Sequence, residues 1–306
     1  MVECKKQNGR IKETNLVWSD FMDKNLYELS ERIHYTKPDE STDRPILAVI
    51  SGSKYSLMVD AGASPDHANN FINRILEQKL AYPDFCVLTH WHWDHSFGAS
   101  ALTCPLISHE ISAKELLGQK EFAWDNISIA ERVAKGLEIP MIKDHLIVEY
   151  PDENREIIVR IPDILFSDSM EIDLGGIRCI IKKVGGDHSL DSTIIYIPEE
   201  KTVFLGDSTF YNLHTKTPLY KPENVIPLFK YLLSLEAEYF FFSHDEYPST
   251  RESFVEYADV IINLAKATKV ITEKDSMVEL REAYSALAGT SLPDEDLDLA
   301  EAFLKK

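Results

Sequence analysis

Four side chains that commonly bind transition metals occur within six positions of the sequence. They are His90, His92, Asp94 and His95, in the pattern H-x-H-x-D-H. Imidazole and carboxylate groups suit zinc, iron or manganese, and no cysteine lies among them. Alternate residues share one face of an extended segment, so His90 and His92 can point the same way. The spacing predicts a metal site, with Asp94 and His95 placed one turn later for a second ion.

Three more potential ligands occur further along the chain, each shortly after an apolar stretch. They are His188, Asp207 and His244. A single histidine at the end of a strand more often makes structural hydrogen bonds than binds a metal. Because these three accompany an H-x-H-x-D-H motif, we interpret them as further ligands of the same site.

The segments around these residues predict strands flanked by helices. Apolar runs at 46–50 and 55–59 are separated by Ser-Gly-Ser-Lys and predict a β-hairpin. Ser64 followed by Pro65 predicts the start of a helix, and residues 85–88 predict a buried strand that leads to the histidine motif. Further β-like runs lie at 157–161, 177–181, 193–197 and 202–205. This arrangement predicts α/β layers with the sheets inside.

Composition excludes several classes of protein. The 306 residues are 44% hydrophobic, which is typical of a folded globular chain, and their net charge of −19 repels nucleic-acid phosphates and anionic lipids. We therefore expect a small-molecule substrate, no nucleic-acid partner and no membrane association. The first fifteen residues contain no apolar run of signal-peptide length, so we expect a cytoplasmic location. The oligomeric state is not indicated.

The order of these motifs resembles that of the metallo-β-lactamase-fold hydrolase superfamily, in particular its glyoxalase II and lactonase-like branch. The resemblance extends from the hairpin near residue 46 to His244 and includes Asp60 at the end of the second hairpin strand. It implies an α/β fold, a four-layer αββα sandwich with a helical insertion and C-terminal helices. It also implies a single domain over residues 1–306, with a cap insertion at about 109–162 and a helical tail from about 275.

The same resemblance implies two divalent metal ions, for which we expect zinc, with iron or manganese as alternatives. One ion would take His90, His92 and His188, the other would take Asp94, His95 and His244, and Asp207 would bridge them. In such a centre a metal-bound hydroxide attacks a small ester, thioester, lactone or phosphodiester. Asp94 and Asp207 would be catalytic, since they balance charge and hold the nucleophile, and Asp60 would orient a ligand histidine.

Departures from the family pattern leave alternatives open. β-Lactamases usually carry Cys or Ser where Asp207 stands, which makes β-lactam hydrolysis an alternative rather than the main prediction. Lactonases of the superfamily often have a tyrosine three residues after the bridging aspartate, where this chain has Phe210 and then Tyr211. The loop of the third histidine reads Gly186-Asp187-His188-Ser189 instead of G-H-T-x. A mononuclear non-haem iron dioxygenase, similar to the persulfide dioxygenases, is the other alternative.

Overall fold

The computed structural model describes residues 25–153, 155–213 and 219–304. The fifteen N-terminal residues on which the predicted location rests lie outside this range. Within the described ranges, no helix has both the length and the apolar character that crossing a bilayer requires.

Two β-sheets form the centre of the molecule. Among the described residues, the first sheet has seven strands and the second has six, and in both sheets neighbouring strands follow one another along the chain. The strands of the first sheet are β1 (Tyr27–Ser30), β2 (Ile33–Tyr35), β3 (Ala48–Ser51), β4 (Ser56–Val59), β5 (Phe85–Val87), β6 (Leu106–His109) and β7 (Ile164–Phe166). Those of the second are β8 (Ser169–Asp173), β9 (Arg178–Lys183), β10 (Thr193–Ile197), β11 (Thr202–Phe204), β12 (Tyr239–Phe241) and β13 (Ser249–Thr250).

Helices cover the outer faces of both sheets. They are α1 (Pro65–Glu77), α2 (Trp93–Ser96), α3 (Glu110–Gln119), α4 (Asn126–Ala134), α5 (Pro140–Glu149), α6 (Pro222–Ser234), α7 (Arg251–Val270), α8 (Met277–Ala288) and α9 (Leu297–Ala302). One apolar cluster joins α1 to the first sheet, and another joins α6 and α7 to the second. A third cluster lies between the sheets, where Ile50 and Val87 of one sheet share a core with Ile195 and Phe204 of the other. The chain therefore has the expected αββα layers.

Helix α1 shows how the local sequence produces these elements. The Ser64 hydroxyl accepts a hydrogen bond from the backbone N–H of His67 at 3.0 Å, and Pro65 occupies the first helical turn. Proline is favoured there because its missing N–H would have no partner in the helix. Phe71 and Ile75, four residues apart, are buried against the first sheet. The predicted start of this helix and the hairpin of β3 and β4 are both present.

The β-like run at 157–161 is not a strand, so this prediction was wrong. Val159 is buried and Ile158 is 71% exposed, which reproduces the alternation of a strand. The segment instead packs on the helical side of the first sheet, and the Arg160 guanidinium donates to the carbonyls of Leu102 and Cys104 at 2.7 and 2.9 Å. Apolar alternation reports which side chains are buried and does not report whether the backbone has a partner strand.

The chain between β6 and β7 contains α3, α4 and α5. We call this stretch the insertion; α8 and α9 follow residue 275. The single domain and the bounds given for it in the sequence analysis stay predictions. A buried ion pair connects the end of this insertion to the first sheet's loops: the Arg44 guanidinium donates to both carboxylate oxygens of Glu149 at 2.8 and 2.9 Å. Ser64 also donates to Glu149. Whether the insertion caps a site stays a prediction.

Gly98 sets the distance between the histidine motif and the end of β4. A Cβ at this position would lie 2.1 Å from the carbonyl oxygen of Ala61, and the Gly98 N–H donates to Gly62 at 2.8 Å. The backbones of Ala61 and His95 are hydrogen-bonded in the same contact, at 2.9 Å. Even one methyl group would therefore push the motif away from β4.

We expect Gly98→Ala to lower the free energy of unfolding by about 1–3 kcal/mol, the usual cost of overpacking a close contact. Gly118→Ala is the matched control, since nothing lies within 4 Å of a Cβ at this position in α3. It should be neutral or stabilise the protein by up to about 1 kcal/mol through helix propensity. Urea unfolding followed by circular dichroism measures both. Equal stability of Gly98→Ala and the parent protein would contradict the contact.

Candidate metal centre

Parallel pairing of two strands in each sheet brings the predicted site residues to one edge. Strands β4 and β5 are parallel, so Asp60 and the His90–His95 motif follow from neighbouring carboxyl ends. Strands β11 and β12 are parallel in the other sheet, which places Asp207 beside His244. The connections between these parallel strands contain helices, and they return the chain to the end of the sheet at which the preceding strand began. The carboxyl ends of parallel strands commonly form binding sites.

The histidines expected to hold the first ion lie together. Nε2 of His188 is 3.3 Å from Nε2 of His90 and 2.9 Å from Nδ1 of His92. His90 is buried, whereas His92 is partly exposed toward the site cavity. One nitrogen from each of the three rings lies within 4.8 Å of the others, which is a distance compatible with a shared cation.

The second group contains two histidines and two carboxylates. Oδ2 of Asp94 lies 3.0 Å from Nε2 of His95 and 3.4 Å from Nε2 of His244. Asp207 completes the group, with one donor atom of each member within 4.8 Å of the others. Asp94, His95 and Asp207 are buried, and His244 is 23% exposed.

Asp207 lies between the two groups. Its Oδ2 is 3.5 Å from Nε2 of His188 in the first group and 3.5 Å from Nε2 of both His95 and His244 in the second. The residue before Asp207 must be small and flexible, and it is Gly206. Its φ is +54°, and a Cβ there would lie 2.6 Å from the Thr89 side chain. Each of the seven predicted ligands is thus found at one place in the structure.

Asp60 orients the His95 side chain, which belongs to the second group. Its Oδ2 lies 2.8 Å from Nδ1 of His95 and accepts from the Thr89 hydroxyl at 2.9 Å, while its Oδ1 accepts from the Thr89 N–H at 2.7 Å. A carboxylate on Nδ1 keeps the proton on that nitrogen and directs Nε2 of His95 toward Asp94 and Asp207. Asp60 itself has φ +58°, a conformation that aspartate tolerates better than most residues.

The loop that carries His188 is fixed by two aspartates. Asp191 is buried, accepts from the backbone N–H of Trp91 at 2.9 Å and accepts a hydrogen bond from Ser189. Asp187, the unusual residue before His188, accepts from the Lys221 N–H at 2.8 Å and from the Asn224 amide at 2.7 Å. Asp187 therefore supports the start of α6 and does not replace a ligand.

The donor set and its unpartnered atoms fit a bound cation. Oδ1 of Asp207 is buried and has no hydrogen-bond partner among the described residues, and Nε2 of His95 faces the carboxylates of Asp94 and Asp207. Buried polar atoms without a partner are rare because losing their hydration is costly. Nitrogen and carboxylate oxygen without thiolate is the donor chemistry of zinc, iron and manganese sites. The two groups can therefore hold transition-metal ions.

The pKa values show that the two groups differ in charge. Burial lowers the pKa of His90 and of His188, which keeps these rings neutral. Burial also lowers the pKa of His95, but the carboxylates of Asp94, Asp60 and Asp207 outweigh it and raise that pKa well above its ordinary value. For His244, Asp207 and Asp94 likewise outweigh burial and raise the pKa to about 10.

The pKa values of the two carboxylates in the second group are shifted downward, opposite to those of His95 and His244. Burial raises the pKa of Asp94 and of Asp207, but the positive charge of His95 and His244 outweighs it and holds both pKa values below the usual range. The second group thus contains ionised carboxylates that require positive charge beside them, which a metal cation would also supply.

A cavity of about 230 Å³ opens onto both groups. Its floor includes His92, Asp94 and Asp207. Its walls come from the insertion, from the segment after Asp207 and from the loop between β2 and β3. The wall residues are Asp43, Trp93, Ile139, Met141, Ile142, Phe210, Tyr211 and Leu213. A site of this kind admits a small molecule to the predicted ligands.

Sequence reasoning missed the residues that form these walls. Asp43 has no motif around it, since it is one of several polar residues in a loop. Ile139 and Ile142 have the apolar character of ordinary helix-packing residues. Tyr211, which the sequence analysis considered only for its position after Asp207, also lines the cavity.

Comparison with solved structures supports the fold. A metallo-beta-lactamase from Pontibacter korlensis has a TM-score of 0.52 and 17% identity, over 79% of this chain and 98% of that one. The stereoselective inverting sec-alkylsulfatase Pisa1 from Pseudomonas sp. has a TM-score of 0.62 and 14% identity, over 89% of this chain and 46% of that one. A metallo-beta-lactamase family protein from Thermus thermophilus has a TM-score of 0.53 and 17% identity, over 90% of this chain and 91% of that one.

The sequence comparisons define the family without defining the substrate. No protein of curated function matches the sequence. The family model of the metallo-beta-lactamase superfamily matches residues 46–244, which is more than half of the chain and includes every predicted ligand. The chain therefore belongs to the metallo-beta-lactamase superfamily.

Proposed function

We propose that this protein is a dinuclear metal-dependent hydrolase of a small ester, thioester, lactone or phosphodiester. The observation that carries the proposal is the presence of two adjacent donor groups on one cavity, with Asp207 within 3.5 Å of histidines from both. His90, His92 and His188 would hold one ion; Asp94, His95 and His244 would hold the other, and Asp207 would contact both. Zinc is the cation that we expect, because the donors are imidazole and carboxylate.

The two donor groups would hold divalent cations, which would supply Lewis acidity toward a substrate oxygen and toward water. The surrounding side chains do the remaining work. Asp94 and Asp207 would balance the positive charge of the centre, since both lie in the second donor group as ionised carboxylates. Asp60 keeps His95 in one orientation through Nδ1.

The insertion would act as the cap of this site. Its residues Ile139, Met141 and Ile142 line the cavity, and Glu149 joins it to Arg44 through the buried ion pair. Apolar walls exclude water from the reacting bond and strengthen the electrostatic interactions within the site. This supports a small substrate enclosed between the cap and the two donor groups.

A mononuclear iron dioxygenase is the second candidate. It would need the first donor group and would leave the second without a role. Asp94, His95 and His244 all lie within reach of one another, which favours two ions over one. A β-lactam or a sulfate ester is a further substrate option, since a metallo-beta-lactamase and a sec-alkylsulfatase share the fold.

We expect about two transition-metal ions per chain in protein prepared with excess zinc, because each donor group can hold one. His92→Ala should reduce the content toward one ion by removing a donor from the first group. Elemental analysis by inductively coupled plasma mass spectrometry measures both values. A content that stays at or below one ion with zinc, iron and manganese alike would contradict the dinuclear centre.

Asp60→Asn should weaken metal binding to the second donor group by about 10- to 100-fold, because the charged partner of His95 Nδ1 is lost. Asparagine keeps the side-chain size and tolerates the positive φ of this position. Competition with a chromophoric chelator measures the affinity. Asp84→Asn is the control, since Asp84 is bonded to Ser56 and lies outside both donor groups. Equal affinities of the Asp60 and Asp84 variants would remove Asp60 from this role.

His92→Ala and Asp207→Asn should each reduce hydrolysis to less than about a tenth of the parent rate, since loss of a ligand removes transition-state stabilisation. His34→Ala, on β2 and outside both donor groups, is the matched histidine control and should retain the parent rate. The assay is a panel of ester, thioester, lactone, phosphodiester, β-lactam and secondary alkyl sulfate substrates. Oxygen uptake with iron and no hydrolysis of any member would favour the dioxygenase instead.

A further inference from the structure

A second cavity borders the loop between β2 and β3 and shares no lining residue with the site cavity. Its volume is about 350 Å³, which is sufficient for a small ligand. Asp43 lines the site cavity, whereas the next residue, Arg44, lines the second one. Beyond this loop, the lining comes from helix α1 and from Glu246, which follows β12. We call this second cavity the α1 cavity.

One side of α1 presents polar side chains to the α1 cavity. His67, Asn70 and Arg74 are three and four residues apart, which places them on one face of the helix. Phe71 also lines the cavity, and it is buried because it packs into the apolar cluster of the first sheet. Helix α1 therefore packs on the sheet with one face and offers hydrogen-bonding groups to a ligand with the adjacent face.

His67 brings a hydrogen-bond donor to this cavity that the fold does not use. The side chain lines the cavity although the residue is only 7% exposed. Its Nδ1 accepts from the backbone N–H of Ala63 at 3.2 Å, so the proton of the neutral ring lies on Nε2. No described residue accepts a hydrogen bond from Nε2. Since buried donors without a partner are rare, this N–H indicates an acceptor group on a ligand.

Positive charge lies close to the His67 ring. Burial lowers the pKa of His67, and the guanidinium groups of Arg44 and Arg74 lower it further, which keeps the ring neutral. The Arg44 charge is balanced by the Glu149 carboxylate, which binds it through two hydrogen bonds. Arg74 therefore gives the α1 side of the cavity its positive charge, beside the His67 and Asn70 side chains. A carboxylate is the ligand group that such donors bind.

The loop side of the cavity carries the opposite charge. Its lysine, Lys37, is paired, since its Nζ lies 2.9 Å from the Glu246 carboxylate. Asp39 and Glu40 also line the cavity, and neither has an ion-pair partner among the described residues. Asp39 is held in place, because its Oδ1 accepts from the N–H and the hydroxyl of Ser41 at 3.0 and 2.6 Å. An ammonium group placed on this side would balance the two carboxylates.

We propose that the α1 cavity binds a small zwitterion whose ammonium and carboxylate groups lie at opposite ends, as in an ω-amino acid. His67, Asn70 and Arg74 hold the carboxylate, and Asp39 and Glu40 hold the ammonium group. The two charged walls belong to different elements of the fold, so the two ends of the ligand must be separated by several bonds. This ligand is distinct from the substrate of the proposed hydrolase, and the inference does not depend on that function.

Three compounds of equal length test the proposal by isothermal titration calorimetry at pH 7 with zinc-loaded full-length protein. 4-Aminobutanoate carries both charges, pentanoate carries only the carboxylate, and 4-aminobutanamide carries only the ammonium group. We expect 4-aminobutanoate to bind with a Kd at least about tenfold below those of the other two, because each charged end gains a charge-assisted hydrogen bond. Pentanoate also controls for binding of a carboxylate to the zinc ions.

Arg74→Gln and Asp39→Asn should each raise the Kd of 4-aminobutanoate about tenfold, because each removes the charge of one wall. Matched controls make the same changes outside the lining of the cavity: Arg281→Gln on α8, and Asp66→Asn on the exposed side of α1. Both controls should bind as the parent protein does. Asn70→Ala tests the α1 wall without a change in charge and should also weaken binding. Circular dichroism establishes that each variant is folded.

Three results would overturn the inference. The first is the absence of saturable binding of 4-aminobutanoate. The second is equally tight binding of pentanoate or 4-aminobutanamide, which would mean that only one charged end is recognised. The third is an unchanged Kd in the Arg74, Asp39 and Asn70 variants, which would place the compound elsewhere, for example on the zinc ions. No substrate enters these measurements, so their failure would leave the proposed hydrolase function unaffected.

Discussion

A single imidazole, that of His95, is surrounded by three carboxylates, and this concentration of buried charge constrains the whole site. Asp60 contacts its Nδ1, while Asp94 and Asp207 lie 3.0 and 3.5 Å from its Nε2. Ionised carboxylates are stable in a buried site only beside positive charge or hydrogen-bond donors. The Thr89 contacts satisfy Asp60. Asp94 and Asp207 depend on cationic partners, which is why a metal centre is the proposal that accounts for both.

The sandwich architecture makes this concentration of charge feasible. The carboxylates come from separate segments of the chain, and parallel strands in each sheet bring their ends to one edge of the fold. The three apolar clusters, one between the sheets and two between the sheets and the helices, contain none of these carboxylates. The free energy of apolar burial therefore maintains an arrangement of charges that would separate in an unfolded chain.

The donor groups and the cavity walls have different origins in the molecule. The donor groups lie on loops and on the short helix α2, beyond the ends of strands of the two sheets. Two parts of the walls come from residues 139–142 of the insertion and from the loop that carries Asp43, and the Arg44–Glu149 pair connects these two parts. The insertion is separate in the chain from the donor segments, and a shared fold does not determine which substrate a site accepts. For this reason membership of the superfamily does not identify the substrate.

The sequence by itself determined the fold class and the seven residues of the donor groups. The short motif of His90–His95 is local, and the later residues follow apolar strand segments whose ends must lie at the edge of a sheet. The tertiary structure alone decided the partner of Asp60, the path of residues 157–161 and the presence of Asp43 at the cavity. Asp43 and His244 are about 200 positions apart in the chain, and no periodic pattern connects them. Local patterns report burial and turn chemistry, whereas contacts between distant loops depend on how whole layers pack against one another.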